Sequence, residues 1–293
     1  MNAVFTSHAL RDPPRLELRT SHGRWLATLT RGARTVVSAG SRRSFSECGL
    51  TVTHAVWVRA LPQPFAGTVD AAWLQRALAA NARHQPDLLA LAMQYLGGAP
   101  ARREGGLQIA GDAAYGPLVD GKRQEGADFN DYLGVDWIYP DDSVDAAEPG
   151  QLRCLDCSGY VRMLWGFRRH APNAAPVMPL ARTSSADGRA LPRRAVQMNA
   201  RAPGVLIERD RGVQLRDFAR LGVGDLVLFD ADPDDGTAID HVGLYLGLDD
   251  DGHHRFISSR KGANGPTLAD VHGKSILDGN GLFARGLRAV RRL

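Results

Sequence analysis

The run from Leu155 to Phe167 constrains this chain most, because it combines a polar start with a helix that has to be buried. It reads Leu155-Asp156-Cys157-Ser158-Gly159-Tyr160, then Val161-Arg162-Met163-Leu164-Trp165-Gly166-Phe167. Apolar residues at 160, 161, 164, 165 and 167 predict one buried helix face, with Cys157 at or just before the first turn. Unpaired backbone N–H groups and the helix dipole at that end favour a thiolate. Asp156 or Ser158 is positioned to cap the turn, and Gly159 lets another backbone or a substrate approach. This is how a nucleophilic cysteine is presented. A buried, inert thiol is the competing expectation, and the polar neighbours Asp156 and Ser158 argue against it.

A nucleophile needs a base. Leu226-Val227-Leu228-Phe229 reads as a strand introduced by the turn Gly222-Val223-Gly224-Asp225. After an acidic loop from Asp230 to Gly236, Ile239 to Gly247 reads as a second strand. Along it His241, Gly243 and Tyr245 share one face, and Val242, Leu244 and Leu246 the other. His241 therefore opens a strand on the side without large aliphatic neighbours, where it serves as general base to Cys157. A lone histidine is more often structural; its pairing with Cys157 is what raises it to a candidate.

Three segments taken in order carry a resemblance. Asp156-Cys157-Ser158-Gly159-Tyr160, then Gly224-Asp225-Leu226-Val227-Leu228-Phe229, then His241-Val242-Gly243-Leu244-Tyr245-Leu246-Gly247 closely resemble the signature of the NlpC-type family of papain-like cysteine peptidases of bacterial cell-wall turnover. The resemblance covers about residues 150 to 260. It implies hydrolysis of peptidoglycan stem peptides, commonly between D-glutamate and diaminopimelate, with no metal or organic cofactor and with a muropeptide or peptidoglycan substrate. It also implies a helix and a tyrosine turn ahead of the nucleophile. Leu89 to Pro100 resembles that helix and Ala114-Tyr115-Gly116-Pro117 that turn, so Tyr115 is a candidate donor to oxyanion or substrate, or else a turn-packing side chain. The family's third catalytic residue is commonly His, Asn or Gln on the strand after the histidine. Here Phe256-Ile257-Ser258 offers Ser258 instead, a departure, with Asn264 or His254 as substitutes if the fold brings them near.

The 293 residues leave room for one large or two modest domains, and the apolar share of 44% and charged share of 23% are those of a globular chain. The expected fold class is α+β: a papain-like core, with the cysteine helix packed on an antiparallel sheet that carries His241, follows a small β-rich domain at 1–66. In that first part Arg15 to Thr20 and Arg24 to Thr30 alternate as a hairpin, and Thr35 to Ser38 and Thr51 to Val58 add strands. Its role is read as wall binding or as packing against the catalytic part. Helices are expected over Thr68–Ala82 and Pro86–Leu96. Residues 67–293 form the catalytic part, with an insertion at about 120–150. From Gln124 to Gly150 eight acidic residues and no Lys or Arg are interleaved with Phe129, Tyr132, Trp137 and Tyr139. That composition suggests a lid or groove wall, with Trp137 and Asp156 as substrate contacts.

A net charge of +4 suits anionic polymers such as those of the cell wall, but it is too mild to indicate nucleic acid, and no nucleic-acid motif appears. No apolar run approaches a membrane span. Met1 to His8 has neither a basic start nor an apolar core, so no secretory signal is read there. Localisation stays open between the envelope implied by the resemblance and the cytoplasm. Cys48, Cys154 and Cys157 are too few for a disulfide framework, and Cys154-Leu155-Asp156-Cys157 lacks the second ligand pair a zinc site needs. The basic tail from Leu282 to Leu293 reads as a solvated face.

The chemistry expected is acyl transfer: Cys157 attacks an amide with His241 as base, and the oxyanion meets a backbone N–H at the helix start, that of Ser158 or of Cys157 itself. An amidase or acyltransferase on the same scaffold, and a non-catalytic wall-binding or thiol-redox protein, are the alternatives.

Overall fold

Short alternating runs broken by glycine turns, with few long helical repeats between them, build an α+β molecule. The computed structural model describes residues 5–173, 175–182, 188–232 and 236–293. The first residues of the stretch read for a secretory signal, and part of the acidic loop at 230–236, lie outside these. Strands β1 (Phe5–Leu10), β2 (Arg15–Thr20), β3 (Trp25–Thr30), β4 (Thr35–Glu47) and β5 (Leu50–Ala60) form an antiparallel meander in sequence order. Helix α1 (Ala71–Ala82) starts at Asp70, whose carboxylate accepts from Trp73 N at 2.9 Å. Its Trp73, Leu74 and Ala77 pack on Leu18, Ala27, Leu29 and Val36 of the meander. Helix α2 (Leu88–Ala92) is capped in the same way by Asp87.

Between these helices and the second sheet lie three two-stranded ribbons, β6 (Arg102–Glu104) with β7 (Leu107–Ala110), β8 (Leu118–Val119) with β9 (Lys122–Arg123), and β10 (Trp137–Ile138) with β11 (Val144–Asp145). Helix α3 (Phe129–Leu133) falls among them. Helix α4 (Cys157–Arg162) runs on into a π turn over Met163–Phe167, and α5 (Ala195–Arg201) follows. The second sheet contains β12 (Val205–Glu208), β13 (Leu226–Phe229), β14 (His241–Leu248), β15 (His254–Arg260), β16 (Gly265–Thr267) and β17 (Leu287–Arg292), the last preceded by α6 (Leu282–Gly286). Its order is β12-β17-β13-β14-β15-β16, and its pairs are antiparallel.

Period-two alternation sorts the side chains of that sheet into two cores. Leu226, Leu228, Val242, Leu244, Leu246 and Ile257 face α4, where Tyr160, Val161, Leu164 and Trp165 pack on them, and Phe45, Val52 and Val58 of the meander join the same cluster. Val227, Phe229, Tyr245, Phe256 and Val290 face the other way, onto Leu277 and Phe283. Among the described residues no helix is long and apolar enough to cross a membrane.

Two local expectations are corrected. The basic tail is not a solvated face: 287–292 is an interior strand, Arg291 and Arg292 are buried, and Arg292 clasps the buried Asp225 at 2.7 and 2.8 Å. Charge alone misreads the tail, because Leu287, Ala289 and Val290 supply its core contacts. In the acidic segment Phe129, Tyr132 and Tyr139 are buried in the main core rather than displayed as a lid. Beneath them Arg162 lies fully buried, bonded to both oxygens of Asp128 and to the Tyr139 hydroxyl.

A buried carboxylate stripped of its cation costs about 3–5 kcal/mol. Arg292→Ala is therefore expected to lower the unfolding free energy by that amount in urea titration; a loss below about 1 kcal/mol would show that Asp225 does not need its partner.

Candidate active site

Cys157 is the first residue of α4, and three features fix that start. Asp156 adopts an extended conformation as N-cap, and its carboxylate accepts from Gly159 N at 2.7 Å and Ser158 Oγ at 3.0 Å. Gly159 is needed because a Cβ there would sit 2.3 Å from the Ala127 carbonyl oxygen and 2.9 Å from Asp128 Cα. Arg193 holds the same corner from outside: it donates to Asp156 at 2.8 Å, to Ser158 Oγ at 2.6 Å and to the Gly126 carbonyl at 2.7 Å. With Asp156 spent in this way, the backbone N–H groups of Cys157 and Ser158 have no partner among the described residues. Cys157 Sγ rests against the start of β14, 3.8 Å from the Asp240 carbonyl and beside the Val242 N–H.

His241 lies between those two residues and is half-buried. Its Nε2 is 2.9 Å from Ser258 Oγ on β15, which leaves Nδ1 for other work. Gly243 makes the contact possible, since a Cβ at that position would press on Ile257 O, Phe256 Cδ2 and Ser258 Cβ at 2.8, 2.9 and 3.1 Å. Phe229 and Phe283 flank the imidazole at 5.8 and 5.2 Å between ring centres. Cys157 and His241 line one cavity of about 970 Å³ together with Tyr115, Asp156, Ser158 and Arg193.

The electrostatics depart from the thiolate that a helix start favours. Burial first, then the Asp156 carboxylate, push the Cys157 thiol up, while the Val242 N–H and Arg193 pull it down. Burial, and after it Arg260, push His241 down to about 3, with Asp156 opposing. Both shifts favour the neutral thiol and the neutral imidazole.

The other candidates are placed as follows. Tyr115 is in the cavity, its backbone N–H donating to Asn264 Oδ1 at 3.3 Å, and burial and then the nearby Cys157 push its phenol up. Ser258 holds His241 as described. Asn264 supports the Tyr115 turn instead of the imidazole, and His254 bonds the Tyr245 hydroxyl at 2.7 Å. Trp137 is not brought to the cavity: it packs edge-on against Phe129 at 4.9 Å. From the acidic segment it is Glu125, Gly126 and Asp145 that line the cavity. Cys154, three residues from Cys157, is a free thiol that burial pushes up, and Cys48 is exposed. No three His, Cys, Asp or Glu side chains converge as metal ligands among the described residues.

Sequence reasoning missed Arg193 and Arg260. Neither sits in a local pattern that reveals its partners; the only hint for Arg193 is a basic pair, Arg193-Arg194, flanking a helix-forming run. Compared with family models, with curated proteins and with solved structures, the chain gives no match in any of the three.

Two histidines are held neutral, His241 at about 3 and the fully buried His170 at about 4, where burial again leads. Both lie below the ordinary 6.5, so the unfolded chain takes up protons that the fold refuses. Their stabilisation is complete above about pH 6.5 and is lost as pH falls toward the folded values. Unfolding free energy is expected to drop by about 2–4 kcal/mol between pH 7.5 and 5 in denaturant titrations, and His241→Gln is expected to roughly halve that drop. A flat profile would mean that both rings take up protons inside the fold.

Proposed function

We propose that this protein is a papain-like cysteine endopeptidase of the NlpC type, hydrolysing amide bonds in peptidoglycan stem peptides, of the D-glutamyl-diaminopimelate kind. The observation that carries this reading is the site around β14: the Cys157 sulfur lies against the backbone on both sides of His241, whose Nε2 is held by Ser258. A helix-borne cysteine packed on an antiparallel sheet that bears the histidine is the arrangement such peptidases use. Glu125 and Asp145 line the same cavity as Arg182 and Arg194, so it offers both signs of charge to a zwitterionic peptide.

In the first step Cys157 Sγ bonds the scissile carbonyl carbon while its proton passes to His241. Because the resting pair is neutral, proton transfer accompanies attack instead of preceding it. The carbonyl oxygen becomes an oxyanion against the free N–H groups of Cys157 and Ser158. His241 returns the proton to the departing nitrogen, the C–N bond breaks and a thioester remains. Water, deprotonated by His241, then hydrolyses the thioester and restores the thiol. Ser258 keeps the ring oriented throughout, and Tyr115 offers its hydroxyl to the substrate from the cavity wall. Substrate of this kind places the working enzyme at the cell envelope.

Digestion of purified peptidoglycan and defined stem peptides, followed by mass spectrometry, tests the reading. Native protein is expected to release fragments cut at a D-glutamyl amide, Cys157→Ala to release none, and Cys154→Ala to match native. Retained cleavage in Cys157→Ala would end the proposal. Ser258→Ala is expected to lower kcat about 10- to 100-fold, less than the ~10⁴-fold cost of disabling a buried triad carboxylate. The pH profile gives a separate check. A general base works only when unprotonated, and with His241 pushed down to about 3 the acid limb of kcat/KM is expected well below pH 6. A limb centred near 6.5 would place His241 in a wetter site than the one described.

A further inference from the structure

Eight arginines are buried among the described residues. Arg162, Arg255 and Arg292 meet carboxylates at 2.5–2.9 Å. Arg34, Arg59, Arg168 and Arg291 are fastened to backbone carbonyls and neutral side chains and do not line the cavity. Arg260 is the exception. It is 2% exposed and lines the cavity, and no carboxylate lies within salt-bridge distance of it among the described residues. Its bonds go to the Gly273 and Ala269 carbonyls, both at 2.7 Å, and to Ser275 Oγ at 2.5 Å, and its Nε is buried without a partner. Phe283 packs under the guanidinium at 5.2 Å. Glu47 and Asp270 favour its charge only from beyond contact distance, and a cation desolvated to this degree without a direct ion pair is costly unless something completes it.

Its position tells which half of a substrate it meets. Arg260 and Ser258 lie two apart on β15 and so share a face, and Ser258 touches His241. Carrying the Leu244–Ile257 register back along β14 sets His241 across from Arg260. The charges felt at Cys157 are different ones, Asp156, Arg193 and Glu125. In the cycle above His241 hands its proton to the departing nitrogen, so the amine half of the substrate lies on the His241 side of the cavity.

We propose that Arg260 is a specificity-determining residue of the amine-side subsite, where it pairs with a carboxylate carried by the residue whose nitrogen leaves. This rests on the peptidase reading and narrows it: amides of amino acids with a free carboxylate are cleaved, and their amidated counterparts are rejected. Lys261, which also lines the cavity, is exposed and already bonded to Glu125 at 3.1 Å, so it serves as the control cation.

The test compares stem peptides whose leaving diaminopimelate carries free or amidated carboxylates. Native protein is expected to favour the free form about 10- to 100-fold in kcat/KM, the range of a hydrogen bond to a charged group. Arg260→Gln is expected to erase that preference, mainly through KM, and to raise the acid limb of the pH profile because a cation beside His241 is gone. Lys261→Gln is expected to retain the preference. Equal cleavage of both forms by native protein, or a preference that survives in folded Arg260→Gln, overturns the inference and leaves the peptidase reading intact. If Arg260→Gln does not fold, Arg260→Lys and the native comparison decide. A second readout needs no turnover: protection of Cys157 from iodoacetamide by free diaminopimelate but not by its diamide, followed by peptide mapping. Such protection without any cleavage upholds the carboxylate site and ends the peptidase reading; neither protection nor cleavage ends both.

Discussion

At the start of α4 one carboxylate takes up nearly everything that fixes the cysteine. Asp156 accepts from Gly159, Ser158, Gly126 and both terminal nitrogens of Arg193, and Arg193 reaches on to Asp128, which is itself held by Arg162. The chain of alternating charges ties together the helix, the segment before α3 and the segment before α5. In a low-dielectric site such a network is worth keeping only when each member is satisfied, and here Asp156 is held well supplied with donors, with its pKa lowered despite burial. The network also explains why Cys157 is presented with two free N–H groups beside it: the cap is satisfied by side chains, leaving the backbone donors for something else.

The sheet was legible in the sequence wherever alternation was strict. The strand at 226–229 shows as an apolar run behind its glycine turn, the alternating strand expected over 239–247 is found at 241–248, and the hairpin at 15–30 follows from its turn. The capped start of α4 was legible for the same local reason. What was not legible depends on partners far away in the chain. The tail at 287–292 hides a core strand behind arginines, because its burial depends on Asp225, which pairs with Arg292. The aromatics of the acidic segment look displayed until Arg162 is seen to supply their polar complement from beneath. Arg193 and Arg260 belong to the same class: each acts at a place that only the folded chain defines.

The polarity of the cavity differs from an ion pair poised in advance. Burial of His241 among aromatic rings and of Cys157 against β14 disfavours charge on both groups, so the cost of creating charge falls on the moment of reaction. For the proposed peptidase this arrangement gains selectivity over intrinsic thiol reactivity. A substrate that brings its own polar groups to the right points lowers that cost, and a passing electrophile does not.

The interior position of β17 has a consequence for how the molecule is made. It separates β12 from β13, while the Leu293 carbonyl receives hydrogen bonds from Arg34 and Thr35 at the opposite end of the chain. The meander is complete without β17, but the second sheet cannot join β12 to β13 until β17 lies between them. Contacts of such large sequence separation form slowly. The pairing that carries His241, β13 with β14 and β14 with β15, is local in the chain, and β17 is what ties it to β12 and to the meander.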